Sequence, residues 1–155
     1  MRVGIGFDAH RFGTGRPLVL GTIAIDHEHG LAGHSDGDVL THALVDAILG
    51  AAGLGDIGTH FPSDDPRWEG ADSGVFLERA VSRARDAGLI VASVDTTLIC
   101  EEPRLDPYRE KMRAALSSLV GTAAVGVKAT TTDTMGFTGR REGIAAFAVA
   151  LLQPA

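Results

Sequence analysis

Cysteine is nearly missing from this chain. Cys100 is the only one, so an internal disulfide is impossible. It lies in an apolar run that reads as a strand, where a thiol serves as a small core side chain rather than a nucleophile. No apolar run is long enough to span a bilayer. The chain enters a strand almost at Met1, without the pattern of a signal peptide, so the expectation is a cytoplasmic protein with no membrane partner. Positive charge is also in short supply. With 14 Lys and Arg against 20 Asp and Glu, the formal net charge is −6 and no basic stripe exists to neutralise a nucleic-acid backbone. Repeats, linkers and low-complexity tracts are absent. At 155 residues, 45% hydrophobic and 22% charged, the sequence reads as one domain over 1–155 with a core of good size.

What is present alternates between strand and helix patterns. Arg2 to Phe7 alternates loosely as a strand, and Pro17 to Leu20 and Thr22 to Ile25 read as a neighbouring hairpin after the Gly13 to Gly15 turn. Between Gly37 and Gly53, Val39, Leu40, Ala43, Leu44, Ala47, Ile48 and Ala51 recur at helical spacing. The stretch 53–65 reads as a Gly, Asp and Pro-rich loop. Asp72-Ser73 caps a second helix that ends near Gly88, and Asp106-Pro107 starts a third. Leu89 to Cys100, Val125 to Thr130 and Gly143 to Leu152 read as strands. This order suits a mixed sheet with helices on one face, an α+β fold. Gly4-Ile5-Gly6 resembles half a dinucleotide fingerprint, but no helix follows it, which excludes a Rossmann site.

Asp8 and His10 are the strongest chemical signal. Two apart on a strand, they leave the same side of it, and His42 lies beside the apolar stripe of the first helix. Together the three could hold one metal ion and leave a position open for a substrate oxygen. Asp38, His42 and Asp46 are four apart and share a helical ridge, which puts a carboxylate one turn to either side of the imidazole as an outer hydrogen-bond partner. The competing reading is that His10 and His42 are unrelated polar residues. His27-Glu28-His29 lacks a third ligand and reads as surface, as do His60, Trp68 and Tyr108. Thr130, Thr131 and Thr132 at a strand end, followed by Asp133, suit either β structure or phosphate and metal contacts. Ile144 to Leu152 is apolar on both alternating faces, which fits an oligomer interface or a buried core strand.

Several motifs in order resemble one family. Gly4-Ile5-Gly6-Phe7-Asp8-Ala9-His10, His34-Ser35-Asp36-Gly37-Asp38-Val39 with His42 and Asp46, Gly55-Asp56-Ile57-Gly58, Lys128-Ala129-Thr130-Thr131-Thr132 and Gly136-Phe137-Thr138-Gly139-Arg140 are similar to 2-C-methyl-D-erythritol 2,4-cyclodiphosphate synthases over essentially the whole chain. The resemblance implies a ferredoxin-like subunit in a homotrimer around an apolar cavity, with active sites at subunit boundaries. It implies conversion of 4-diphosphocytidyl-2-C-methyl-D-erythritol 2-phosphate to the cyclic diphosphate with release of CMP, in the non-mevalonate isoprenoid pathway. Asp8, His10 and His42 would bind a tetrahedral Zn2+, and Asp133 would bind Mg2+ or Mn2+ together with the substrate phosphates. His34 and Ser35 would hold the phosphorylated erythritol, with Asp56, Gly58, Phe61 and Asp65 at the ribose or substrate. Cys100, Pro103, Arg104, Leu105 and Asp106 with Ala129 to Asp133 would form the cytidine pocket. His34, Thr131 and Thr132 would carry catalytic contacts, and Phe137 and Arg140 would approach the substrate, with Arg140 toward the trimer axis and a possible isoprenoid diphosphate there.

Three positions depart from the family pattern. Asp133 is a methylene shorter than the usual Glu, Ser63 stands where an acid is usual, with Asp65 close by to compensate, and Arg141 replaces an expected Gly. Rival readings are a trimer that binds isoprenoid diphosphate or serves as an assembly partner, and a metal-dependent phosphohydrolase.

Overall fold

The computed structural model describes residues 1–155. Strand β1 (Arg2–Gly13) leads into a separate antiparallel hairpin, β2 (Leu18–Leu20) and β3 (Ile23–Ile25), and then β4 (Gly30–Leu31), which pairs with the end of β1. Helix α1 (Val39–Ala52) follows, then a short α2 (Ile57–His60), a 3-10 turn at Pro66–Trp68 and α3 (Ser73–Asp86). The chain continues through β5 (Leu89–Ile99), a 3-10 turn at Asp106–Tyr108 that runs into α4 (Arg109–Val120), and β6 (Val125–Thr130). It closes with the single turn α5 (Gly136–Gly139) and β7 (Gly143–Pro154).

The five-stranded sheet has the order β4-β1-β7-β5-β6. The last strand fills its centre, antiparallel to both β1 and β5, while β5 and β6 run parallel. A mixed α+β sheet with helices on one face was expected and is found. The connection order corrects the expectation of a ferredoxin-like subunit. Helix α4 lies between β5 and β6, and a helical crossover delivers a parallel pair. The main elements therefore run β-α-β-α-β-β instead of β-α-β-β-α-β.

Helix α1 lies at the centre of the core, nearly all of it buried. Its cap is Asp38, whose carboxylate accepts from the Thr41 amide, and Gly53 ends it at φ 74. Gly4 and Gly6 face this helix from β1. A Cβ on Gly4 would lie 2.1 Å from the Ala47 carbonyl oxygen, and one on Gly6 1.8 Å from that of Ala43. Two absent side chains thus let the helix rest on the strand backbone, and the next residues on that face of β1 are Asp8 and His10. On the opposite face Val3 and Ile5 are each 69% exposed, and Phe7, Phe147 and Val149 are exposed beside them.

The stretch 53–65 is not all loop. Asp56 accepts from the Thr59 amide and hydroxyl and so caps α2. Arg141 keeps the left-handed backbone that a glycine would adopt, at φ 61, and its guanidinium reaches Glu102 at 3.2 Å.

Candidate metal centre and adjoining cavities

Strand alternation aims Asp8 and His10 at one point, and the close seat of α1 brings His42 to it. Asp8 Oδ2 lies 2.8 Å from His10 Nε2 and 3.1 Å from His42 Nδ1, and the two imidazole nitrogens are 3.2 Å apart. These are the residues whose ligand atoms converge as a metal-binding group. Ligands on a tetrahedral zinc with bonds near 2.0–2.2 Å sit about 3.3 Å apart, so the triad would open by only a few tenths of an ångström to receive the ion.

The far nitrogen of His42 is also fixed. Ser73 donates its hydroxyl proton to Asp36, leaving the Ser73 oxygen to accept from His42 Nε2 at 2.8 Å, with Ser35 Oγ at 3.1 Å. With the proton on Nε2, Nδ1 presents its lone pair to the metal position. Burial raises the Asp8 pKa, but hydrogen bonds and charge from His10 and His42 outweigh it and hold the carboxyl well below its usual range. Burial lowers that of His10, yet the hydrogen bond and charge of Asp8 leave it raised overall.

These serines correct the expected outer partners. Asp38 does not touch the His42 ring: fully buried, it accepts from the Gly21, Thr22 and Thr41 amides and the Thr41 hydroxyl. The shared helical ridge does not bring the two together, because Asp38 is the N-cap and its carboxylate turns back to the helix end. Asp46 accepts from the Ile57 amide at 2.7 Å, and burial followed by the charges of Asp56 and Asp8 raises its pKa.

A cavity of about 240 Å³ opens beside the triad, lined by Asp8, His10, His42, His34, Ser35, Asp46, Ile57, Gly58, Phe61, Ser63, Trp68 and Phe76. Trp68 belongs to this wall and is not a surface residue. It packs edge-on against Phe61 and Phe76, with Arg67 and Arg79 over its ring, and its buried Nε1 has no partner. His34 Nε2 bonds the Asp65 carbonyl, while the Asp65 carboxylate is held by Arg67. That pairing takes Asp65 away from the compensating role considered for Ser63. The Asp56 carboxylate is spent on capping α2 and lies outside the cavity lining. His60 bonds the Leu54 carbonyl.

A second cavity, of about 220 Å³, is lined by Cys100, Glu101, Pro103, Arg104, Leu105, Asp106, Ala129, Thr130 and Thr131. The lining shares Cys100, Pro103, Arg104, Leu105, Asp106 and Ala129 to Thr131 with the group expected around cytidine, adds Glu101, and leaves out Thr132 and Asp133. Cys100 donates to the Glu102 carbonyl, and burial pushes its thiol up to about 12, consistent with a packing role. Asp133 and Thr132 lie in the adjoining turn. The Thr132 hydroxyl donates to the Met135 carbonyl and meets Thr138, and Asp133 has the Thr131 hydroxyl at 3.3 Å. Asp133 is not part of the metal-ligand group at Asp8. Phe137 lines a third cavity with His10, Arg11 and Glu142, and Arg140 pairs with Glu142.

The triad and the Cys100 cavity lie toward one end of the sheet but on different strands. Asp8 pairs with Ala146, Ala146 with Leu98, and Leu98 with Ala129. Three strand spacings separate the ends of that row by about 14 Å.

Ser73, Asp36, Trp68, Phe76 and Glu101 were not identified from sequence. Asp72-Ser73 signalled a helix cap, and nothing in the spacing tied Ser73 to His42.

The sequence pattern of the YgbB family matches residues 1–153. The chain is 54% identical over 154 residues to the 2-C-methyl-D-erythritol 2,4-cyclodiphosphate synthase of Pseudomonas aeruginosa, with 98% of each covered. It is 56% identical to a bifunctional enzyme IspD/IspF of Hyphomonas neptunium, covering 99% of this chain but 41% of that protein. A solved 2C-methyl-D-erythritol-2,4-cyclodiphosphate synthase described as a CDP-bound form superimposes with a TM-score of 0.90 at 38% identity, covering 98% of this chain and 100% of the other.

Proposed function

This chain belongs to the YgbB family, and from that premise we propose that it is a metal-dependent cyclodiphosphate synthase, a phosphorus-oxygen lyase formed by one domain over 1–155. It converts 4-diphosphocytidyl-2-C-methyl-D-erythritol 2-phosphate to 2-C-methyl-D-erythritol 2,4-cyclodiphosphate and CMP in the cytoplasm. The observation that carries this reading is the convergence of Asp8, His10 and His42 beside one cavity, with the cytidine-type cavity on the same sheet.

In the reaction the substrate's 2-phosphate oxygen attacks the β phosphorus, a phosphorus-oxygen bond forms, and CMP leaves with the electrons of the broken bond. A phosphate monoester with a second pKa near ~6 is already largely dianionic at neutral pH, so no side chain needs to act as a strong base. The protein's work is positioning and charge stabilisation.

Asp8, His10 and His42 would hold Zn2+, which supplies a Lewis acid for phosphate oxygens. Asp133 with the substrate phosphates would hold Mg2+ or Mn2+, which offsets charge on the departing CMP. His34 and Ser35 bound the erythritol cavity, where Phe61, Trp68 and Phe76 exclude water from the methyl-bearing carbons. The Ala129–Thr131 edge and the 100–106 loop receive cytidine and the α phosphate, with the Thr131 hydroxyl directed to the diphosphate and Thr132 shaping the turn.

The exposed apolar stripe of Val3, Ile5, Phe7, Phe147 and Val149 supports a homotrimer, since a face this apolar is rarely left to water. In that assembly the Cys100 cavity of one chain adjoins the triad of the next, and the apolar axis, with Arg140 near it, suits an isoprenoid diphosphate.

The deciding experiment incubates the protein with zinc, magnesium and the diphosphocytidyl substrate and follows phosphorus NMR. CMP together with a cyclic diphosphate is the expected result. CMP with linear phosphates would make the protein a phosphohydrolase, and no turnover by the zinc-loaded protein would leave a binding role.

A further inference from the structure

Glu101 presents a physical puzzle. It lines the Cys100 cavity, which is proposed to receive a nucleoside diphosphate, and a carboxylate there should repel the ligand. Its hydrogen bonds resolve this. The Cys100 amide donates to the Thr130 carbonyl, which locks the ends of β5 and β6 together and sends Glu101 across to the turn after β6. There Glu101 Oε1 accepts from the Thr132 amide at 3.0 Å and the Thr134 amide at 3.3 Å. One carboxylate oxygen, Oε1, is thus engaged by two backbone donors at the cavity's edge.

The Thr132 hydroxyl braces that turn through Met135 and Thr138, but its backbone is an unfavourable one. Met135 donates its amide to the Thr132 carbonyl, closing a turn whose central residues, Asp133 and Thr134, have φ of 51° and 67°. Both central residues at positive φ is the pattern of a type I′ turn, for which Asn-Gly is the usual choice and a β-branched threonine a poor one. Such a conformation persists only where its surroundings impose it. The Thr132 and Thr134 amides converge on one position suited to an anion, while the Asp133 amide between them goes to the Thr131 hydroxyl, and here the anion is part of the protein.

We propose that Glu101 is a positioning residue: its carboxylate accepts from the Thr132 and Thr134 amides and thereby sets the Thr131 hydroxyl and the Asp133 carboxylate for the diphosphate before substrate arrives. This inference rests on the cyclodiphosphate synthase reading. Glu101 touches no reacting atom. Its effect falls on kcat, because the loop it orders meets the phosphates where charge develops.

The test compares Glu101→Ala and Glu101→Gln, each loaded with zinc. The glutamine oxygen can still accept from both amides. Glu101→Ala should lower kcat about 100-fold while KM changes less than about threefold, and Glu101→Gln should recover most of the lost rate. Zinc content should equal that of the unmutated protein in both. Hydrogen exchange gives a readout independent of the reaction: the Thr132 and Thr134 amides should lose protection in Glu101→Ala and keep it in Glu101→Gln. Wild-type kcat and KM in Glu101→Ala, unchanged protection of the two amides, or a glutamine variant as impaired as alanine would each overturn the proposal. If the unmutated protein makes no cyclic diphosphate, the functional reading fails separately, and the exchange data still decide whether Glu101 orders the turn.

Discussion

Gly6 lies so close beneath Ala43 that a Cβ on it would fall 1.8 Å from the Ala43 carbonyl oxygen. The contact is backbone against backbone, so no rotamer change relieves it. Gly6→Ala must push α1 away from β1 and carry His42 away from Asp8 and His10. The expected outcome is a loss of at least about 2 kcal/mol in stability and a large loss of zinc affinity. Denaturant unfolding and zinc titration, run on the same preparation, measure both; a variant that keeps its zinc affinity would show that the helix seat does not set the triad.

Ser73 and Asp38 separate metal tuning from helix capping. Ser73 accepts from His42 Nε2 and donates to Asp36, so Ser73→Ala should weaken zinc binding about tenfold and cost about 1 kcal/mol in unfolding, less than the loss at Asp38. Asp38 accepts four hydrogen bonds without touching the His42 ring. Asp38→Ala should cost about 2 kcal/mol or more, because the donors it leaves are buried. Competition with a chromophoric zinc chelator and thermal unfolding distinguish the two, and the reverse pattern would restore the carboxylate as the imidazole's partner.

Much of this site was legible in the sequence, for a definite reason. Two ligands two apart on a strand need only the pleat to converge, and His42 is carried on a helix whose apolar repeat is plain. Ser73 was not legible, because its contact with His42 depends on how α3 docks on α1, and Asp72-Ser73 carries the same letters as any helix cap. The ferredoxin-like connection failed for a related reason. The long strands and helices lie where the sequence places them, while α2 and the short β4 do not show in it; pairing is decided by which strands flank the α4 crossover, and β7 takes the centre of the sheet. Trp68 was misplaced because a lone aromatic in a polar loop gives no sign that Phe61 and Phe76 will meet it.

Arg141 occupies a left-handed position at φ 61. An arginine there is strained by roughly 1–2 kcal/mol, and the exposed pair with Glu102 returns at most about 1. Arg141→Gly should therefore raise stability by about 1 kcal/mol, or roughly 2–4 °C in Tm. A fall in Tm would show that the Glu102 contact outweighs the backbone strain.

Burial pushes the Cys100 thiol up to about 12. At pH 8 almost none of it is thiolate, so alkylation by iodoacetamide should run about a thousandfold slower than at a free thiol near 8.5, and unfolding should abolish the difference. The linkage has a fixed sign. A folded pKa above the unfolded one contributes stability below about pH 8.5, which is lost as pH rises toward 12. The advantage of the unmutated protein over Cys100→Ala should shrink by roughly 1 kcal/mol per pH unit in that window. Labelling at the rate of a free thiol in the folded protein would overturn the packing role.

Ile5 tests the apolar sheet face. In a single chain it is 69% exposed, so a charge there would meet only water and change stability by a few tenths of a kcal/mol. If three chains close this face around an axis, three lysines are brought together inside an apolar space, and the cost of burying them exceeds what the remaining contacts return. Ile5→Lys is expected to be a folded monomer by light scattering that still binds zinc through Asp8, His10 and His42, since those side chains lie on the helix side of β1. Its turnover should fall well below that of the assembled protein, because each triad would lose the nucleotide cavity of its neighbour. A monomer with full activity would place the whole site within one chain.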